Sequence, residues 1–100
     1  MKIPAQIKIG GHIYQVVYPY VFKERFDRAG STDGDACRIL ISNKCDGLEM
    51  PQSRIEEIFI HEVLHAVDSI YNGGKLEEED VKRLAEGLYQ VLSDNNLLKK

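Results

Sequence analysis

The hydrophobic positions of this chain change period near residue 52. Before that point the apolar residues come in short β-prone runs. Ile7 and Ile9 form one, and Ile13, Val16 and Val17 another, with Gly10-Gly11-His12 between them as the composition of a hairpin turn. Tyr18-Pro19-Tyr20 interrupts the second run, and the proline predicts an edge position or the end of a strand, because it lacks the N–H that a central strand must donate. Residues 27–35, DRAGSTDGD, hold two glycines, three aspartates and no large apolar side chain, and are expected to be a loop. Cys37-Arg38-Ile39-Leu40-Ile41 predicts a further strand, followed by a second polar, glycine-containing loop from Ser42 to Gln52.

The spacing then becomes three and four. Ile55, Ile58, Phe59, Val63, Ala66, Val67 and Ile70 predict a helix over 53–72 with a wide apolar face. Ser53-Arg54-Ile55-Glu56 fits a capping box at its start, and Asn72-Gly73-Gly74 a stop, since glycine reaches the left-handed conformation at little cost. A second helix is expected over 77–93. Glu77, Glu78, Glu79 and Asp80 fill its first turn, where negative charge suits the helix dipole. Val81, Leu84, Ala85, Leu88, Val91 and Leu92 form its apolar stripe, and Gly87 beside that stripe either permits close helix contact or is a tolerated weak point. The whole predicts an α+β fold, a small N-terminal antiparallel or mixed β-sheet packed on two C-terminal helices.

A length of 100 residues supports one modest core, so residues 1–100 are expected to form a single domain, with strands mainly over 1–45. With 43% hydrophobic and 29% charged residues the chain is not of disordered composition. No apolar run approaches the roughly 20 residues of a spanning helix, so no membrane partner is expected. A net charge of −3 without a basic stripe argues against nucleic acid. The opening MKIPAQIKIGG lacks an apolar core of roughly 7–15 residues and does not read as a signal peptide. Two cysteines, Cys37 and Cys45, are few for a disulfide-built domain, so reduced thiols and a cytoplasmic location are expected.

His61-Glu62-Val63-Leu64-His65 is an H-E-x-x-H motif in the middle of the first predicted helix. Residues four apart lie about 40° apart around the axis and one turn apart along it, so both imidazoles can converge on one ion. Glu62 points about 100° away from His61, where it can reach a water held by that ion without occupying a coordination site. Zinc lowers the pKa of such a water toward ~7, and a glutamate can then take its proton as the water attacks a carbonyl. His61, His65 and Asp68 share one stripe with Glu57, opposite Phe59, Val63, Ala66 and Ile70. Two ordinary histidines on a solvated helix face are the bland alternative.

A third protein ligand is needed, because two imidazoles alone hold zinc weakly. Asp68 is near in sequence but lies ~4.5 Å further along the axis than His65, which suits either a partner for a histidine N–H or a plain surface charge. Glu78 is in line with Val81 and Ala85 at the mouth of the second helix. Glu77, Glu79 and Asp80 compete with it.

From His61 through Asn95, HEVLHAVDSIYNGGKLEEEDVKRLAEGLYQVLSDN resembles the active-site region of small phage- and prophage-encoded zincin-like metallopeptidases, relatives of the ImmA/IrrE-type and minimal gluzincin proteins. IKIGGHIYQVVY and CRILISNK are similar to their short N-terminal strands. The resemblance implies zinc held by His61, His65 and Glu78, with Glu62 as general base. The pattern of Glu78, Val81, Leu84, Ala85, Gly87 and Leu88 carries the Glu78 assignment.

The remaining groups add less. Tyr14, Tyr18, Tyr20, Tyr71 and Tyr89 could each stabilise an oxyanion, but amphipathic packing is their commoner use. His12 reads as a surface turn residue. The strand at Ile39–Ile41 could be an open edge that pairs with an extended peptide. The function expected first is zinc-dependent hydrolysis of a peptide bond in a peptide or protein substrate. The alternatives are a non-catalytic, zinc-stabilised module that docks a phage or host protein, and a metal-free helical interaction domain.

Overall fold

A computed structural model describes residues 1–23 and 28–98. The elements in chain order are β1 (Gln6–Ile9), β2 (His12–Val17), β3 (Gly30–Asp33), β4 (Arg38–Ile41), β5 (Lys44–Cys45), β6 (Leu48–Glu49), α1 (Gln52–Tyr71) and α2 (Glu78–Asp94). The main sheet has the order β1-β2-β4-β3. β1–β2 and β3–β4 are antiparallel and β2–β4 is parallel, so the sheet is mixed. β5 and β6 form a separate small hairpin. The architecture is a mixed N-terminal sheet packed against two C-terminal helices, the first carrying the H-E-x-x-H residues. Among the described residues, no helix is long and apolar enough to cross a membrane.

Gly10 and Gly11 make the β1–β2 turn at φ +60 and +83, the left-handed values a two-residue hairpin needs. His12 is not in the turn but opens β2, opposite Ile9. A Cβ on Gly10 would lie 2.7 Å from Cδ1 of Ile70, so the hairpin tip rests on the C-terminal end of α1. The core joins Tyr14, Val16, Ile39 and Ile41 from the sheet to Ile55, Ile58, Phe59 and Ala66 of α1 and Ala85 of α2. Each such isoleucine contributes about 1.5–3 kcal/mol by leaving water.

Several expectations are corrected. The loop expected over 27–35 contains a strand: Gly30–Asp33 pairs antiparallel with β4, from Gly30 opposite Ile41 to Asp33 opposite Arg38. Asp27 lies outside the described residues. Gly30 and Thr32 of this strand face Glu62 and Ile58 of α1, where a small and a hydrogen-bonding residue fit and large apolar ones do not. β4 is consequently an interior strand, with Ile39 and Ile41 wholly buried, and the open edge beside α1 belongs to β3.

The Ser53–Glu56 capping box does not form. α1 begins at Gln52 with Pro51 as its cap residue and no side-chain cap bond, while Pro51 O accepts from the amides of Arg54 and Ile55. Glu56 instead turns inward. A side-chain cap does form on α2, where Glu77 and Asp80 each accept from the other's backbone amide. Of α2's apolar stripe, Val81 and Ala85 are buried and Leu92 half-buried, whereas Leu84, Leu88 and Val91 are exposed. Among the described residues α2 packs mainly on α1, and a single helix contact covers only a narrow stripe. Gly87 sits on the uncovered side, with nothing within 4 Å of where its Cβ would be.

Candidate metal centre

α1 presents His61 and His65 on consecutive turns, and their Nε2 atoms stand 3.1 Å apart. The rings meet edge-to-face, with centroids 4.8 Å apart and planes at 64°. Glu78, the first residue of α2, turns one oxygen to each ring: Oε1 lies 2.7 Å from Nε2 of His61 and Oε2 2.8 Å from Nε2 of His65. The turn between the helices sets this meeting. Glu77 and Asp80 are committed to the cap, and Glu79 follows Glu78 about 100° around the helix, which leaves Glu78 facing the rings.

The donor set fits a divalent ion such as zinc. Two neutral imidazole nitrogens and a carboxylate oxygen are the ligands of an open tetrahedral site, and donors on such an ion, with bonds of about 2.0–2.1 Å, stand roughly 3.3 Å apart. The candidate ligand atoms all lie within 4.8 Å of one another. His61 is 17% exposed, His65 30% and Glu78 67%, so the centre opens to solvent on the α2 side.

Glu62 lies beneath this opening, 6% exposed. Burial pushes its carboxyl above the usual range, and the Glu78 carboxylate adds to that, while the hydroxyl of Thr32 and the two histidines pull the other way. Thr32 on β3 places its Oγ1 2.6 Å from Oε1 of Glu62 and 3.0 Å from the Glu62 backbone oxygen. Gly30, two residues earlier on the same face of the strand, gives Glu62 its space: a Cβ there would lie 2.8 Å from Oε2 and 2.9 Å from Cγ2 of Ile58. Sequence reasoning missed both residues, and the β-branched threonine two positions after a glycine was the sole hint of a strand in that polar run.

Asp68 takes neither of its expected roles. It is buried, and its Oδ1 accepts from Nδ2 of Asn72 at 2.8 Å and from the amide of Leu76 at 3.3 Å. Its backbone oxygen accepts from the amides of Asn72 and Gly74. Asp68 thus fastens the turn that brings α2 back toward α1. Glu56 is also buried and accepts from the Tyr89 hydroxyl at 2.9 Å. Among the tyrosines, Tyr14 is in the core, Tyr20 stands edge-on to Phe22, Tyr89 serves Glu56, and Tyr18 and Tyr71 are exposed. None of them lines the cleft at the centre.

That cleft has two arms meeting at Gly30, Glu62 and Glu78. The larger, about 740 Å³, runs between β3 and the C-terminal half of α1 past His65. The smaller, about 240 Å³, passes His61 toward Arg54 and Lys82. β3 is the cleft's sheet edge. Because Ala29 O accepts from the amide of Ser42, the antiparallel alternation turns the backbone groups of Ser31 and Asp33 toward β4 and those of Gly30 and Thr32 outward. Arg28 Nη1 donates to the outward Gly30 carbonyl at 3.4 Å.

These features make a small zincin-like metal-binding fold with an H-E-x-x-H helix and a His/His/Glu triad, consistent with the gluzincin metallopeptidase superfamily. Comparison with protein-family models, with curated proteins and with solved structures finds no match to this chain.

Proposed function

We propose that this protein is a zinc-dependent metallopeptidase of the phage and prophage type, working in the cytoplasm, with His61, His65 and Glu78 as metal ligands and Glu62 as general base. The observation that carries this reading is the convergence of three donor side chains from two helices beside a buried carboxylate that a neighbouring strand holds in place.

Zinc would supply Lewis acidity, making water a nucleophile near neutral pH and polarising the scissile carbonyl. The protein's own groups do the rest. Glu62, held at Oε1 by Thr32, keeps Oε2 on the Gly30 side at the waist of the cleft, where it takes the proton of the attacking water and returns it to the leaving amine. The outward N–H groups of Gly30 and Thr32, with the Thr32 carbonyl, provide a short strand edge on which an extended peptide pairs and is held across the centre.

One variant and a metal assay test this. Purified protein is expected to retain about one zinc per chain. Glu62→Gln should keep the metal and lose peptide hydrolysis. A protein whose zinc joins α1 to α2 only as a staple for docking a partner would show no functional change in Glu62→Gln.

A further inference from the structure

Two cations flank the waist of the cleft from opposite arms, and among the described residues no carboxylate lies within ion-pairing distance of either. Arg28 lines the larger arm and Lys82, one turn after Glu78 on α2, the smaller. Both are exposed. Of the acids lining the two arms, Glu57 pairs with Arg54 at 2.6 Å and Glu78 meets the two histidines, while Glu62 and Asp68 are buried, on Thr32 and in the inter-helix turn. The exposed charges lining this cleft that have no acid partner among the described residues are therefore Arg28 and Lys82. Exposed cations without an acid partner in a groove attract carboxylates.

We propose that the cleft selects acidic peptide segments, with a carboxylate side chain on one side of the waist reaching Lys82 and one on the other side reaching Arg28. This rests on the peptidase reading for what happens at the waist, but the preference itself is one of binding. A peptide laid along the outer edge of β3 advances about 3.3 Å per residue, so side chains on either side of the waist enter opposite arms. Arg28 presents a planar fork suited to a carboxylate, and Lys82 a point charge. Among the described residues, the guanidinium of Arg28 is held by one hydrogen bond, its 3.4 Å contact to the Gly30 carbonyl. A carboxylate that draws it away frees that carbonyl to accept a peptide N–H, so recognition of the side chain also opens the strand edge.

The test uses zinc-loaded Glu62→Gln protein, which holds peptide without turnover, and fluorescently labelled peptides in matched pairs, with glutamates or glutamines flanking a central dipeptide. Fluorescence anisotropy is expected to show roughly fivefold to tenfold tighter binding of the glutamate peptide. That preference should shrink near 1 M salt, where the screening length falls to about 3 Å. Adding Lys82→Glu or Arg28→Glu should each lower it, and both together should reverse it, with melting curves confirming that the variants fold. Equal binding of the two peptides, binding of neither, or a preference that survives the double substitution overturns the proposal. Hydrolysis by the unsubstituted protein is followed in parallel. Cleavage without acidic preference overturns the proposal and leaves the peptidase reading standing. Acidic preference in binding without any cleavage supports the proposal and removes the peptidase reading.

Discussion

Thr32 and Glu62 meet at two points: the threonine hydroxyl lies 2.6 Å from the carboxylate Oε1 and 3.0 Å from the backbone oxygen of the same glutamate. A hydroxyl has one proton and two lone pairs. It can donate to Oε1 when the carboxylate is charged, or donate to the backbone oxygen and accept from the carboxyl when Glu62 carries a proton. The pair therefore needs no side-chain movement as the proton comes and goes.

Thr32→Val keeps the shape and removes the hydroxyl. Leaving a buried acceptor without its donor costs about 1–3 kcal/mol, and removing the partner that orients a reacting group commonly costs roughly 10–100-fold in activity. Thr32→Ser should restore most of both. Thermal melts of the zinc-free protein and turnover of a model peptide check the two effects separately.

Gly30→Ala adds one methyl where the nearest atoms are the Oε2 of Glu62, at 2.8 Å, and a methyl of Ile58, at 2.9 Å. No backbone strain arises, since Gly30 is absent from the positive-φ glycines. The expected outcome is overpacking of about 1–3 kcal/mol together with a displaced carboxylate, read as a lower melting temperature and slower turnover with zinc content retained.

Glu78→Gln keeps the shape but weakens the third donor, and should lower zinc affinity at least tenfold, whereas His61→Ala or His65→Ala should abolish stoichiometric zinc. Competition with a chromogenic chelator measures all three. Retention of zinc by Glu78→Gln, with loss in a Glu79 variant instead, would move the third ligand.

Asp68→Ala should also reduce zinc affinity, although Asp68 is not one of the three candidate ligands. Without its carboxylate the side chain of Asn72 and the amide of Leu76 lose their acceptor, and the turn that delivers Glu78 loosens. Asp68→Asn keeps an acceptor oxygen and should retain most of the affinity. A metal ligand would not tolerate that change, and the same chelator competition separates the two roles.

Tyr89→Phe removes the donor to buried Glu56, a bond to a charged acceptor worth about 1.5–3 kcal/mol. Urea denaturation should show that loss, and zinc affinity should stay as it was, because Tyr89 and Glu56 lie outside the cleft.

The legible parts of this protein are those whose geometry is local. A helix repeats every 3.6 residues whatever lies around it, so the spacing of Ile55, Phe59 and Ala66 predicted α1, and the four-residue interval placed His61 and His65 side by side. The paired glycines marked the β1–β2 turn for a similar reason: each needs a left-handed φ within two residues. β3 was not legible, because a strand is defined by its partner. Gly-Ser-Thr-Asp has no alternation to announce it, and it becomes a strand by pairing with Arg38–Ile41 and lying against α1. Glu56 misled in the opposite way, since its sequence position suits a cap while its place in the fold is beside Tyr89.

The amino-acid sequence by itself determined the helix that carries the two imidazoles and the glutamate between them, because 3.6-residue periodicity and the intervals between these residues are properties of neighbours in the chain. Only the tertiary structure decided which acid of the run 77–80 faces the rings, which strand forms the open edge, and that Thr32 and Gly30 shape the space around Glu62. Those relations join residues 13 to 32 positions apart in the chain, and they exist only once α2 has folded back through the Asp68 turn and β3 has paired with β4.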